Sequence, residues 1–266
     1  MLTTAILLTA LSLAPGQSGQ LSVSNVRTTH GPLGPTRPAN KILPGDLVCL
    51  SFDVKGFQAN SAGKIHYGVG LEVADSKGEM VFKNAPMESE LASSTSGQLV
   101  PICAKVEVGL ASPPGKYDLK VTVVDRTAGT TTPVTRSYEI LPLEFGIVRV
   151  SLTSDREGKT SAATFSPGRP GWINFTVVGF GRDKAKGQPH LTATMRVVDE
   201  DRRFVFSKPF SGAITQDVPV QVGAVPMQFQ LVLGQTGRFT AELEATDDIT
   251  GRKTAVSIPI QVAASK

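Results

Sequence analysis

Residues 113–129 read PPGKYDLKVTVVDRTAG: a Pro-Gly corner, then a strand of alternating apolar and polar residues, then a polar turn. A similar pattern returns at residues 237–251 as GRFTAELEATDDITG. Alternation with a period of two is typical of a β-strand with one buried and one exposed face, and a Gly-containing polar segment after it indicates a hairpin turn. The chain therefore uses one type of strand and turn twice.

The repeat extends well beyond this stretch. Three blocks of residues recur in the same order, at spacings of 122 to 124 residues. Matched pairs include Pro44 with Pro167, Phe52 with Phe175, His66 with His190, Val73 with Val197, and Asp125 with Asp247. Such self-similarity indicates two copies of one structural unit. We interpret residues 20–142 and 143–266 as two domains, and the short apolar link at 140–146 favours a restricted angle between them.

Both copies are rich in alternating segments, such as Val48, Leu50, Phe52 and Val54 in the first. One apolar and one polar face per strand predicts antiparallel sheets packed face to face, and we find no amphipathic helix pattern. Pro259 lies inside the last predicted strand and cannot donate a ladder hydrogen bond. That strand is therefore predicted to lie at a sheet edge.

The N-terminus predicts export. Residues 1–14 are apolar and uncharged, and the small, breaker-rich segment 15–19 follows them. This pattern is typical of a secretory signal peptide, although no Lys or Arg precedes the apolar run. A buried N-terminal strand or helix remains an alternative. With residues 1–19 removed, we expect an exported chain without a membrane span, in the periplasm, at the cell surface or outside the cell.

Composition and motifs argue against several function classes. The net charge of +4 comes from scattered Lys and Arg residues, often beside Asp or Glu. The sequence contains no basic stripe with interleaved aromatic residues, which is the pattern that predicts nucleic-acid binding. No nucleophile elbow, phosphate-binding loop or dinucleotide fingerprint occurs. We therefore expect no enzyme, no cofactor and no metal.

The corner at Gly115 and Tyr117 resembles the tyrosine corner of immunoglobulin-like sandwiches, in which a Tyr hydroxyl bonds back to the preceding turn. In the second copy, Gly237 is retained but Phe239 replaces the tyrosine, so that bond is lost. The whole chain also resembles exported tandem β-sandwich proteins of planctomycete-type bacteria without a known function; this resemblance implies export and points to no particular activity. The resemblance implies an all-β fold of two tandem immunoglobulin-like antiparallel β-sandwich domains after a signal peptide.

The same resemblance bears on Cys49 and Cys103. Leu119 stands where antibody domains carry a cysteine, so their inter-sheet bridge is ruled out. In immunoglobulin-like order the two cysteines fall on adjacent strands, both in phase with polar residues. We predict a disulfide between them on the exposed face, because export leads to an oxidising compartment.

Other polar residues have a structural and a functional interpretation. Asp75, Asp125, Asp199 and Asp247 follow strands, where they could bind calcium or cap turns by accepting bonds from their own backbone. Without an Asp-x-Asp-x-Asp-Gly spacing, we favour the turn role. The histidines are isolated, and the pairing of His66 with His190 suggests a role in the shared fold.

Three aromatic residues are candidates for a ligand platform: Trp172, Phe57 and Phe180. The leading hypothesis is a non-catalytic cell-envelope or extracellular protein that acts in binding, adhesion or scaffolding. Its partner is an unknown protein or glycan, and its oligomeric state stays open. A carbohydrate-binding accessory module is the first alternative and requires the three aromatics on one platform. A hydrolase on a sandwich scaffold is the second and requires a pocket of converging polar groups.

Overall fold

The computed structural model describes residues 20–37, 40–92 and 98–264. In these ranges the chain forms fifteen β-strands and no helix. It consequently contains, over the same ranges, no helix of the length and apolarity needed to cross a bilayer. The predicted signal peptide, residues 1–19, lies outside the described residues.

The first half of the chain contains eight of the strands. They are β1 (Ser22–Thr29), β2 (Lys41–Ile42), β3 (Leu47–Lys55), β4 (Lys64–Asp75), β5 (Met80–Ala92), β6 (Val100–Glu107), β7 (Gly115–Asp125) and β8 (Thr131–Ile140). The second half contains seven. They are β9 (Gly146–Thr153), β10 (Pro170–Val178), β11 (Leu191–Val198), β12 (Phe210–Ile214), β13 (Ala224–Val232), β14 (Gly237–Asp247) and β15 (Arg252–Val262).

These strands form two sandwiches. In the first, a three-stranded sheet of order β1-β3-β6 packs on a five-stranded sheet of order β2-β8-β7-β4-β5. In the second, β13-β10-β9 packs on β12-β11-β14-β15. Every pairing is antiparallel except the short one between β2 and β8. The buried apolar residues form two clusters, within 21–140 and within 145–262. The predicted all-β, immunoglobulin-like sandwich fold is thus confirmed.

The two sandwiches repeat each other in detail. Strands β3 to β8 correspond in order and pairing to β10 to β15. At one equivalent place, the amide of Arg126 donates to the carbonyl of His66 at 2.9 Å, and the amide of Asp248 donates to the carbonyl of His190 at 2.9 Å. The two paired positions therefore make the same backbone hydrogen bond, which uses the carbonyl and not the imidazole.

The corner before β7 has the geometry of a tyrosine corner. The hydroxyl of Tyr117 donates to the carbonyl of Pro113 at 2.9 Å, and the ring stacks on Tyr138 with centroids 5.8 Å apart. Gly115 and Gly237 open their strands at φ of 152° and 146°, a region that favours glycine. The second corner keeps this backbone conformation, so the turn itself does not depend on the hydroxyl.

Pro259 lies in β15, which ends its sheet and pairs only with β14 within that sheet. The missing N–H of a proline is tolerated at such a position. The prediction of an edge strand is confirmed.

Candidate binding surface

The two sheets of the first sandwich differ in width, and this leaves strand β5 uncovered. Five strands face three, so the last strand of the wide sheet extends past its partner sheet. Phe82 and Met87 lie opposite Val73 and Val69 of β4, which places them on the core-facing side. Yet they are 44% and 66% exposed. An apolar surface is thereby left open along the side of the first domain.

A groove runs between β5 and the free edge of β6. Its volume is about 270 Å³, and both strands line it, with Met87 on one side and Ile102 and Cys103 on the other. Tyr67 and Val69 of β4 form part of its floor. Grooves of this shape, with an apolar floor and a free strand edge, suit an extended peptide that adds a strand to a sheet.

In the second domain, the position equivalent to Phe82 is covered by side chains of that same domain. Its edge strand β12 is only five residues long, compared with thirteen in β5. Phe206, the repeat partner of Phe82, contacts Phe210 at 5.1 Å between ring centroids, and both pack on the second core. The exposure of Phe82 is therefore a property of the first domain, whereas Phe204 and Val205, the repeat partners of Met80 and Val81, are exposed in the second domain as well.

Charged residues occupy the opposite face of β5. Lys83 pairs with Glu72 at 2.8 Å, and Glu88 pairs with Arg126. The hydrogen bond from Arg126 lowers the pKa of the Glu88 carboxyl, so Glu88 is ionised at neutral pH. The outer face of β5 thus carries a cation and an anion on either side of Pro86, which lies at a β-bulge.

A buried carboxylate joins the two domains. Asp46 is 1% exposed and accepts hydrogen bonds from the amides of Leu47 and Arg149, both at 2.8 Å. Its other oxygen pairs with Arg37 at 2.6 Å. The Arg149 side chain returns to the first domain, where its Nε donates to the carbonyl of Gly45 at 2.8 Å. Since Arg149 belongs to β9 of the second domain, Asp46 bonds to residues of both domains. We call this contact between Asp46, Arg37 and Arg149 the domain joint.

Arg149 adopts a left-handed backbone conformation, with φ of 52°. It lies at a bulge where the register between β9 and β10 shifts. Asn25 occupies the equivalent bulge in β1 with φ of 53°. Asn tolerates this conformation better than Arg does. The contacts with Asp46 and Gly45 offset that local cost in the second domain.

His30 lies beside this joint, buried, in a cavity of about 310 Å³ lined also by Arg37, Asp46 and residues of β9 and β15. Burial lowers the pKa of His30 to about 4, and the positive charge of Arg37 acts in the same direction. The imidazole is therefore neutral in the folded protein at neutral pH.

This shift predicts a loss of stability in mild acid. Between pH 6.5 and 4 the unfolded chain binds a proton on His30 that the folded chain does not, so stability falls as the pH is lowered. We expect about 2 kcal/mol to be lost between pH 7.5 and pH 5. Urea unfolding of His30→Gln should lack this component, whereas the exposed control His66→Gln should retain it. Equal pH dependence in wild type and His30→Gln would contradict the prediction.

The cysteines lie on adjacent strands, as predicted, but both are free. Cys103 lies opposite Ser51 and Cys49 opposite Lys105, so the two are staggered by two residues. A hydrogen bond with Cys49 lowers the pKa of the Cys103 thiol to about 7, with a further contribution from Ser51. The predicted disulfide is thus not present in the structure, although the thiols are in contact.

The expectation that both cysteines lie on an exposed face is wrong for Cys49. Cys49 is fully buried, and Cys103 is half-buried. At this end of β3 the polar side of the sheet is covered, because Thr29, Ser51 and His30 are buried with it. Strand alternation could not reveal this, since it says nothing of what packs on the polar side.

The strand-end aspartates cap turns. Asp125 accepts from the amides of Thr127, Ala128 and Gln58, and Asp247 accepts from those of Ile249 and Gly181. Both carboxylates are fully buried. In the part of the chain that the structure describes, no group of three or more His, Cys, Asp or Glu side chains could hold a metal ion. Backbone amides occupy the oxygens that a calcium site would require.

The structure does not bring the three candidate platform aromatics together. Phe57 packs on the first core and contacts Tyr67 at 5.3 Å between centroids. Phe180 packs on the second core below Arg182. Trp172 is half-buried near the other end of β10, about 25 Å along an extended chain from Phe180. The carbohydrate-binding alternative therefore lacks the platform on which it rested.

A larger cleft of about 550 Å³ lies beside the tyrosine corner, lined by Phe82, Tyr117 and Tyr138 among others. Its Asp75 carboxylate accepts from the amides of Lys77 and Glu79 and thus serves the adjoining turn. Burial raises the pKa of Tyr138 to about 12, so its phenol stays neutral at physiological pH. The Asp75 carboxylate thus stabilises a turn and the Tyr138 phenol stays protonated, so the two do not act as an acid–base pair.

Sequence reasoning missed both the β5 surface and the joint at Asp46. A signal for the joint was present, because the repeat breaks there: Arg169 occupies the place that corresponds to Asp46. The β5 surface had no such signal, since Phe82 and Phe206 match in the repeat although Phe82 lies within β5 and Phe206 lies before β12.

Comparison with known proteins adds little. No protein-family profile and no curated protein matches the chain. The C-terminal domain of the AgI/II polypeptide BspA from Streptococcus agalactiae aligns at a TM-score of 0.31 and 10% identity, over 89% of this chain and 99% of that one. Dimeric latent PorU from Porphyromonas gingivalis aligns at 0.38 and 11%, over 96% and 21%. A family 123 glycoside hydrolase from Clostridium perfringens aligns at 0.30 and 8%, over 48% and 28%. Since each TM-score is below 0.5, none of these likenesses bears on function.

Proposed function

We propose that the protein is a non-catalytic, exported binding or scaffold protein of the cell envelope or the extracellular space, and that its first domain binds an extended polypeptide segment along β5. One observation carries the proposal: a thirteen-residue edge strand with Phe82 and Met87 uncovered on its core-facing side. Contiguous exposed apolar surface on a soluble domain is typical of an interaction site. The closed equivalent in the second domain supports this reading.

A capture experiment tests this proposal. The purified, immobilised protein is exposed to an envelope extract of the producing cells, in parallel with a glycan array. Met87→Lys should abolish capture, because it places a charge on the apolar surface. Val220→Lys is the matched control, since Val220 is 67% exposed but lies in the second domain. Capture that is equal for both variants, or binding to glycans that Met87→Lys leaves intact, would contradict the proposal.

Export would place the two cysteines in an oxidising compartment. We predict that oxidation there joins Cys49 to Cys103 in a disulfide. The Cys103 thiolate attacks oxidised glutathione and releases one glutathione; Cys49 then displaces the second and forms the disulfide. The bridge should stabilise the first domain by about 2–4 kcal/mol, near the lower value because the cysteines are staggered. Intact mass should show the loss of two hydrogen atoms. A lasting glutathione adduct on wild type, as expected for the control Cys49→Ser, would contradict the prediction.

A further inference from the structure

The outer edge of β5 is free to pair. The strand ends its sheet, and no described strand bonds to its outer side. Its thirteen residues offer a row of backbone donors and acceptors, a template that proteins usually protect. The apolar residues Met80, Val81, Phe82 and Met87 are all exposed along it. A partner that adds a strand here would bond to the free backbone groups and place its own side chains beside these.

We propose that the partner is a second copy of this chain, and that two β5 strands pair antiparallel about a two-fold axis between Ala85 and Pro86. In this register Lys83 of one copy lies opposite Glu88 of the other, and the symmetry creates this ion pair twice. The inference names the partner of the binding surface proposed above and rests on that proposal.

Between residues 82 and 89 the register satisfies the alternation of side chains. Before Phe82 a second bulge interrupts it, because Val73 pairs with Phe82 whereas Ala74 pairs with Met80. Phe82 lies opposite Ser89 of the second copy, and Asn84 lies opposite Met87. All four face the core side, because in β4 they pair with Val73, Tyr67, Leu71 and Val69. Lys83 and Glu88 face the outer side, opposite Glu72 and Gly68. A shift by one residue would set apolar against charged side chains.

The backbone phase fits as well. Directly opposite residues of an antiparallel pair must both point their N–H and C=O groups toward each other or both away. Lys83 and Glu88 lie opposite Glu72 and Gly68, which are four residues apart on β4, so their backbone groups point the same way. The axis passes through the bulge, where Pro86 lacks an N–H and the ladder is already interrupted. The two five-stranded sheets thus become one, with Phe82 and Met87 of both copies on the same face.

Sedimentation equilibrium of the purified protein tests this arrangement. We expect a concentration-dependent dimer with a dissociation constant in the micromolar range, roughly that of a small interface. Lys83→Glu and Glu88→Lys should each weaken it at least about tenfold, because each sets like charges opposite one another twice. An equimolar mixture of the two variants should restore dimers, since both opposed pairs in the heterodimer then attract. Lys120→Glu is the control: Lys120 contacts the same Glu72 as Lys83, at 3.3 Å, but lies on β7 away from the edge.

Three results would overturn the inference: a monomeric wild type at about 100 µM, far above a micromolar dissociation constant; a dimer that neither reversal weakens; or a mixture that stays monomeric. A monomer that still captures an envelope protein through Met87 would end the inference and leave the proposed function intact. If the wild-type protein dimerises but captures no envelope protein, the surface serves self-association alone.

Discussion

Replacing Asp46 by alanine is expected to lower the free energy of unfolding of the first domain by about 3–5 kcal/mol. The substitution leaves Arg37, a half-buried cation whose side chain is 18% exposed, without its ion-pair partner. It also leaves the amides of Leu47 and Arg149 without their acceptor. An unpaired, half-buried charge and two unsatisfied donors each cost free energy, and here they occur together.

Urea unfolding followed by far-UV circular dichroism measures the effect on both domains. Trp172, the only tryptophan, reports the second domain by fluorescence. Asp46→Asn keeps an oxygen acceptor but loses the charge, so about half of the loss is expected. Asp75→Ala is the control, because that carboxylate serves an exposed turn, and it should cost about 1 kcal/mol or less. A loss below 1 kcal/mol for Asp46→Ala would show that the joint is dispensable.

Replacing Asp247 by alanine is expected to cost the second domain about 3 kcal/mol. The fully buried carboxylate accepts from the amides of Gly181 and Ile249 and from the hydroxyl of Thr250 at 2.6 Å. It therefore ties the turn after β14 to the loop after β10. Truncation leaves these donors without a partner in a site closed to water.

The repeat supplies a matched variant, Asp125→Ala, in the first domain. Asp247→Ala should shift the Trp172 fluorescence transition to lower urea, whereas Asp125→Ala should shift only the transition seen by circular dichroism. If both variants moved the fluorescence transition equally, the two domains would unfold as one unit and this assignment would be wrong.

The loss caused by Asp247→Ala should also depend on pH. Burial raises the pKa of this carboxyl, but the hydrogen bonds from Thr250, Gly181 and Ile249 outweigh burial and hold the pKa below its usual value. The stabilisation is complete above the pKa of the unfolded chain, about 4, and disappears as the pH falls further. The difference between wild type and variant should accordingly shrink below pH 4.

The role of these aspartates could be partly predicted from the sequence. Asp125 and Asp247 recur in the repeat and are each followed by a turn ending in Gly, which identifies the turn role. Their second function, tying the loop after β3 or β10, involves Gln58 and Gly181, which are 67 and 66 residues away in the chain. Local spacing does not specify such contacts, because they depend on where the sheets place the two loops.

The cysteines show the same limit. Immunoglobulin-like order correctly predicted adjacent strands, but the register between β3 and β6 decides whether two side chains lie opposite each other. A stagger of two residues keeps both on one face and so leaves the alternation pattern unchanged.

By itself, the sequence determined the strand alternation, the edge position of the last strand and the existence of two similar halves. These follow from local chemistry, because alternating apolar residues, Pro and Gly determine the backbone conformation of their near neighbours in the chain. Only the tertiary structure decided that five strands face three in the first domain, which exposes Phe82 and Met87, and that Asp46 meets Arg149 across the domain joint. The reason is physical: the exposure of a side chain and the partner of a buried charge depend on the elements that pack against them, and those elements come from distant parts of the chain.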